Sequence, residues 1–348
     1  MTFPYIGIID FGTYTQPYAL LLGSAIAIYH HKNIRYNSLL VIQISVSLFF
    51  LLVAGTAGLR PFLGLFSFTL SIALADFLMD KIGKNHIKSI VLYSAIVWLV
   101  VALIQIFRPN FGSFIVPMWR EVENRGVNGL AQEPSYLGLY GVLLFIYSAA
   151  AKDRKVQLIS LVLVILSQSL FSWIVLVSVL YIVGSLKSKL ITLLVSILIL
   201  ISPFSTIFSV RTAFLIERIL SDPIALVQID ESIGDRVAHV ILPFYEFFQN
   251  GGFPHGFEAW PDAVGKSVLL KRLGLHWVTT GRIMSSIGAL IFEYGWLALP
   301  AVIFVCRTAI KSKLVFAIIF LYIFQLPFAL MLAPFIIKFS QNELQEKI

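Results

Sequence analysis

The sequence predicts an all-α integral membrane protein, a polytopic bundle of about ten or eleven transmembrane helices with two large segments on the outer side. Three observations predict it. Of the 348 residues, 58% are hydrophobic and 13% charged, and the mean hydropathy of +0.89 lies far outside the range of water-soluble domains. The apolar residues fall in continuous runs, as bilayer-crossing helices require. Basic residues concentrate in alternate interhelical loops, the asymmetry that sets orientation in a membrane. This composition excludes a water-soluble enzyme, a nucleic-acid binder and a secreted disulfide scaffold. The single cysteine, Cys306, has no partner for an internal disulfide. Residues 1–348 read as one polytopic membrane domain.

The stretch before Pro17 is too polar and short to span. It lacks the basic start and small-residue cleavage site of a secretory signal, so no processing is expected. Spans are expected at 15–31, 38–56, 61–79, 88–107 and 134–150. Val156 to Gly184 is too long for one span, and Ser167, Gln168 and Ser169 interrupt it; two short helices meeting at a polar elbow are expected. Further spans follow at 190–207, 284–306 and 313–335, with Pro327 and Pro334 placed to turn the last one back, which makes the count ten or eleven.

The loops after the first, third, fifth, seventh and ninth spans carry Lys32 and Arg35; Lys81, Lys84 and Lys88; Lys152, Arg154 and Lys155; Lys187 and Lys189; and Arg307, Lys311 and Lys313. Only Asp80 and Asp153 oppose them, so these loops read as cytoplasmic. The N-terminus, residues 108–133 and residues 208–283 then lie outside. Cytoplasmic cations are mostly lysine, whereas the outer side favours arginine: positions 60, 108, 120, 125, 211, 218, 236, 272 and 282 against Lys266 and Lys271. Orientation and chance explain this one way. A demand for planar, permanently charged forks that grip phosphate or carboxylate explains it the other. Acids balance the bases in these segments, so an anion site here is a local cluster rather than a basic field.

The first outer segment contains Arg120 and Arg125 and ends Gln132-Glu133-Pro134-Ser135 at the start of a span. Glu133 stands at an expected helix N-cap with proline as first helical residue. A plain acidic cap accounts for this; so does a carboxylate placed at the membrane boundary as a general base or to orient a substrate hydroxyl. The second segment predicts two amphipathic helices. In one, Arg211 and Arg218 share a face, as in an interfacial helix with snorkelling arginines. The other begins near Ser232 and presents Arg236 and His239 together at i and i+3. It ends at Gly251-Gly252-Phe-Pro-His255-Gly256, a loop whose glycines allow backbone to approach a ligand. His255 is a candidate binding residue, weighed against an ordinary structural histidine.

Several chemistries have no motif: there is no DxD pair, HExxH, P-loop, hydrolase elbow or Cys/His metal cluster. Asp76 and Glu293 are the only clear acids deep in spans, fewer than an ion-coupled transporter usually needs.

The stretch NGLAQEPSYLG, ending at Gly138 before a span, resembles the EPS motif of the O-antigen polymerase (Wzy-type) family. The order of features is similar as well: the Ser/Gln elbow after the EPS span, then Arg236 followed by Gly251, Gly252 and Gly256, then Glu293-Tyr-Gly295-Trp-Leu-Ala-Leu299 in the penultimate span. The likeness runs from about residue 108 onward. It implies the fold of the C-type glycosyltransferase superfamily, a bacterial inner-membrane location, and polymerisation of undecaprenyl-diphosphate-linked oligosaccharide repeat units at the periplasmic face. Membrane lipid and a chain-length regulator are the implied partners; no cofactor, metal or nucleic acid is. Related O-antigen ligases, which transfer to lipid A core, carry a histidine before the penultimate helix, where this chain has Thr279 to Ser286 with His276 earlier. The spacing from Arg236 to its glycines also exceeds the usual interval. Glu133 and Arg236 are the expected catalytic pair, with Arg120, Arg125, Arg211, Arg218, His255 and Arg282 as substrate-binding candidates. A ligase, or a transporter or flippase of lipid-linked sugars, is the alternative.

Overall fold

The computed structural model describes residues 1–7, 17–34, 45, 48–49, 52, 59–117, 119, 126–183, 214, 217–218, 221–275, 278, 283–300, 302–303, 312–324, 326 and 330–345. The expected span at 190–207 lies outside them, as does that at 38–56 apart from four residues. The principal helices are α1 (Tyr18–Tyr29), α2 (Leu59–Ile82), α3 (Lys84–Phe107), α4 (Pro134–Ala151), α5 (Arg154–Ser167) and α6 (Leu170–Val183). Then come α7 (Pro223–Ile229), α8 (Glu231–Gln249), α9 (Trp260–Lys266), α10 (Val268–Arg272), α11 (Ser286–Tyr294), α12 (Lys313–Phe324) and α13 (Leu332–Gln345). No strand occurs among the described residues.

Among the described residues three helices, Phe62–Ile82 within α2, then α3 and α4, are long and apolar enough to cross a bilayer, and the chain is a membrane protein on that ground. One expected span is interrupted, and the last run divides, as its prolines allow. The run 284–306 breaks at Gly295, whose φ of +54° ends α11 and opens a 3-10 turn, Gly295–Ala298. The run 313–335 is two helices: α12 stops where the Leu326 N–H donates to the Leu321 carbonyl at 3.0 Å, and α13 starts at Leu332 with Pro334 in its first turn.

The chain divides into two compact units, one of Met1–Arg35, Leu70–Ile216 and Met331–Ile348, the other of Tyr36–Thr69 and Glu217–Leu330. In the first, α4 is the central element, buried along almost its whole length and packed by α5, α6 and α13. Between apolar helices in lipid the hydrophobic effect offers little, so close backbone approach has to hold them. Gly138 and Gly141 supply it. A Cβ on Gly138 would collide with Ser172 and come within 2.6 Å of Ser167 Oγ, and one on Gly141 would lie 2.9 Å from Val164 and 3.0 Å from the Ser160 carbonyl. The expected elbow is present: Gln168 closes α5 with φ of +45°, and the Ser169 hydroxyl accepts the Ser172 N–H at the start of α6. Asp76 is paired with Lys338 at 3.1 Å and accepts from Asn342 at 2.9 Å, which compensates an acid otherwise costly in a span.

The second unit is built around α8, packed on α7, α10, α11 and α12. Its buried row is Asp235, Ala238, His239, Leu242 and Pro243, the spacing of one helix face. Ala238 and Leu242 join Trp260, Leu270, Leu275, Val278 and Phe292 in the unit's core.

Candidate active site

The approach to Glu133 is a buried shelf. The Gln105 side chain of α3 donates to the carbonyls of Phe111 (2.6 Å) and Gly129 (2.8 Å), and its oxygen accepts the Gly129 N–H (2.7 Å). Gly129 has φ of +62°, and a Cβ there would lie 2.8 Å from Leu137, so glycine is required twice over. Residues 128–132 are all buried, and Asn128 donates to the Gln132 carbonyl at 3.4 Å. The α5–α6 elbow supports the shelf from below. The Val127 N–H donates to the Leu166 carbonyl (3.1 Å), Gly126 lies against the backbone of Leu166 and Ser167, and Ser172 donates to the Ser135 carbonyl at 3.2 Å.

Glu133 emerges from this shelf at the N-cap of α4, with φ −151° and ψ 161° and Pro134 as first helical residue. Its carbonyl accepts the Tyr136 and Leu137 N–H groups. Its carboxylate makes no capping bond to the helix. Instead Ser135 Oγ donates to Glu133 Oε1 at 2.5 Å, in the range of a charge-assisted hydrogen bond. The side chain is part-buried and aimed by its neighbour, so the capping function that a sequence allows is not the one its oxygens perform. Tyr5, whose ring packs against Tyr136 at 5.7 Å, has its phenol pushed well above the usual range by burial and by the nearby Tyr136, Tyr140 and Glu133. It stays protonated and adds no charge beside the carboxylate.

Gln132 went unnoticed in the sequence. It is fully buried, and neither its amide nitrogen nor its amide oxygen has a hydrogen-bond partner. An orphaned buried polar group costs about 1–3 kcal/mol unless water or a ligand completes it. Its one signal was a polar side chain within an irregular, otherwise small and apolar run, which periodicity does not register.

Arg236 belongs to the second unit, part-buried in the second turn of α8. His239, three residues on, is held by residues of the same unit. His239 is fully buried; its Nδ1 accepts the Met284 N–H at 3.2 Å, so Nε2 carries the proton and donates to Asp235 Oδ1 at 3.2 Å. Its ring packs on Trp260 at 4.9 Å. His239 therefore fastens α8 to the residues ahead of α11 and fixes the helix that carries Arg236. The i, i+4 spacing of Asp235 and His239 was visible in the sequence, but nothing there marked it as facing inward.

The glycine loop also closes on protein. Gly251 and Gly252 have φ of +61° and +79°, and their carbonyls accept the Trp296 indole and backbone N–H groups, each at 2.9 Å. The close approach those glycines permit is made by Trp296 and Gly295. His255 bonds through its backbone N–H to the Phe292 carbonyl (3.1 Å), stacks on the Phe292 ring at 4.4 Å, and holds Nε2 4.0 Å from Glu246. Its Nδ1 is buried without a partner, and burial pushes the imidazole below its usual range, so it is neutral at physiological pH. Arg218 is exposed ahead of α7. Arg120, Arg125, Arg211 and Arg282 lie outside the described residues. Among the described residues no group of three or more His, Cys, Asp or Glu side chains is arranged to hold a metal ion. No family model matches the chain, and neither the curated proteins nor the solved structures include a match to it.

Proposed function

We propose that this chain is a metal-independent glycosyltransferase, a polytopic protein of the bacterial inner membrane that joins undecaprenyl-diphosphate-linked oligosaccharide repeat units into a surface polysaccharide at the periplasmic face. The observation that supports it most is the Glu133 carboxylate: it stands at a helix N-terminus without capping it, on a shelf locked by Gln105 and the elbow, with Ser135 fixing one oxygen. A carboxylate held this way suits proton transfer from a sugar hydroxyl.

In the proposed reaction Glu133 accepts the proton of the attacking hydroxyl on one lipid-linked repeat. The hydroxyl oxygen bonds to the anomeric carbon of another, and the bond from that carbon to the diphosphate breaks. The electron pair leaves on undecaprenyl diphosphate, whose growing charge Arg236 offsets through its planar fork. The outer arginines 120, 125, 211, 218 and 282, with His255 as a neutral hydrogen-bonding group, hold the sugars and the diphosphate.

Arg236 supplies the test. Both Arg236→Lys and Arg236→Ala are expected to abolish polymer, because lysine keeps the charge but loses the bidentate geometry. Cells carrying either variant accumulate single repeat units on the outer leaflet. Trapping on the inner leaflet identifies a flippase, and intact polymer that is not attached to lipid A core identifies a ligase.

A further inference from the structure

We propose that the outward face of α8, continued by Phe253, Trp296 and Leu297, is a lipid-contact surface seated against bilayer hydrocarbon. The inference is independent of the enzymatic reading. It rests on a helix that is apolar on both sides, with Ala238, Leu242 and Phe247 buried and Ile241 and Phe248 exposed. The side of α8 turned into the protein holds Asp235 and His239, both buried, and the part-buried Glu246. The side turned out holds Ile241 and Phe248, 43% and 74% exposed, with the part-buried Val237 and Phe244 on the same face. A helix against water carries polar and charged side chains on its outer side.

α3, which is apolar and long enough to span, is the reference for lipid contact. It exposes Tyr93, Val97, Val100, Leu103 and Ile106 while burying Ser94 and Gln105. α9, in the same unit as α8, is the reference for water. Its Asp262 and Lys266 form an ion pair at 2.9 Å with side chains 77% and 79% exposed. The second unit therefore has two chemically different surfaces, and α8 matches the lipid one.

Dimensions agree. The outward face carries no charged side chain from Ile233 to Phe248, about 22 Å of helix. Asp230 and Glu231 precede it and Gln249 and Asn250 follow it. At that end the patch continues through Phe253, Trp296 and Leu297, which are 67%, 52% and 49% exposed. The Trp296 indole N–H is already bonded to Gly251, so what the ring presents is apolar, and aromatic residues of this kind gather where membrane meets water. In water such a patch would be a standing liability. Segment 208–283 is then only partly aqueous, and the helix carrying Arg236 lies along the hydrocarbon boundary.

The test uses full-length protein with Cys306→Ser, reconstituted in phosphatidylethanolamine and phosphatidylglycerol vesicles. A nitroxide is attached at Ile241→Cys, Phe248→Cys, Val100→Cys or Asp262→Cys, all exposed positions that a label does not crowd. Spin relaxation by oxygen, which partitions into hydrocarbon, is compared with relaxation by a water-soluble nickel chelate. Positions 241 and 248 are expected to match Val100, with oxygen dominant, and to invert the order found at Asp262. Nickel dominance at 241 and 248 overturns the proposal in favour of a water-facing helix. Low relaxation by both reagents overturns it in favour of a protein-covered face, and its dependence on dilution in lipid then shows whether a second copy is the cover.

Discussion

Glu133→Gln separates proton transfer from helix capping, because the amide keeps the side chain's length and an acceptor oxygen for Ser135 while removing charge and basicity. The stability change is small on the geometry observed. The 2.5 Å bond from Ser135 becomes neutral, a loss of roughly 1 kcal/mol. Removing a negative charge at the start of α4 costs about 0.3–1 kcal/mol more. No capping bond is lost, since none exists. Loss of a general base, by contrast, lowers turnover about 10²–10⁴-fold, a barrier increase of roughly 3–5 kcal/mol. Activity should therefore collapse while the protein remains folded. Glu133→Asp sharpens the distinction. Aspartate is the better N-cap, so capping alone requires full activity, whereas moving the carboxylate by ~1 Å costs on the order of 100-fold in a positioned reaction. Polymer is measured by electrophoresis of surface polysaccharide, with protein abundance by immunoblot and unfolding temperature in detergent. The reasoning is refuted if Glu133→Gln makes normal polymer, or if restoring its abundance restores its activity.

Gln132→Met removes two unpartnered buried polar atoms at nearly constant volume, so the unfolding temperature should hold or rise; a lowered unfolding temperature means the amide has a stabilising partner such as a bound water. Gly138→Ala drives a Cβ into Ser172 and toward Ser167, and is expected to destabilise by about 1–3 kcal/mol, with partial recovery in the Ser172→Gly double variant. Failure of that rescue would place the strain elsewhere. Burial lowers the His255 pKa, so the unfolded chain binds its proton first: stability is full above the ordinary imidazole range and declines as pH falls through it toward the lowered native value. His255→Phe keeps the stacking on Phe292 and should flatten that decline in a pH series of thermal melts; an unchanged slope assigns the pH dependence to another group.

Features encoded by neighbouring residues were legible in the sequence. Pro134 at a first helical position placed the start of α4, the Ser167-Gln168-Ser169 interruption placed the elbow, and the amphipathic pattern from near Ser232 placed the start of α8. What depended on distant contacts was not. The break in the run 284–306 follows from Gly295 meeting the backbone of Gly252, Phe253 and Pro254, which hydropathy does not encode. The split of the run 313–335 needed the Leu326 to Leu321 hydrogen bond, where the prolines gave only a hint. At the candidate site, Glu133 was visible because Pro134 follows it. Its release from capping was not, since that turns on a hydroxyl two residues away. Gln132 was hidden for a related reason: burial of a polar side chain inside a loop is a property of the packing around it. The i, i+3 spacing of Arg236 and His239 is local, whereas the full burial of His239 comes from the packing around α8.

The most direct measurement is reconstitution of the purified protein in vesicles with lipid-linked repeat units as sole substrate, without nucleotide sugar or added metal. Wild type should produce a ladder of lipid-linked chains, each one repeat longer than the last, and Glu133→Gln should leave single repeats. Wild-type protein that moves single repeats between leaflets and never joins them contradicts the proposed chemistry.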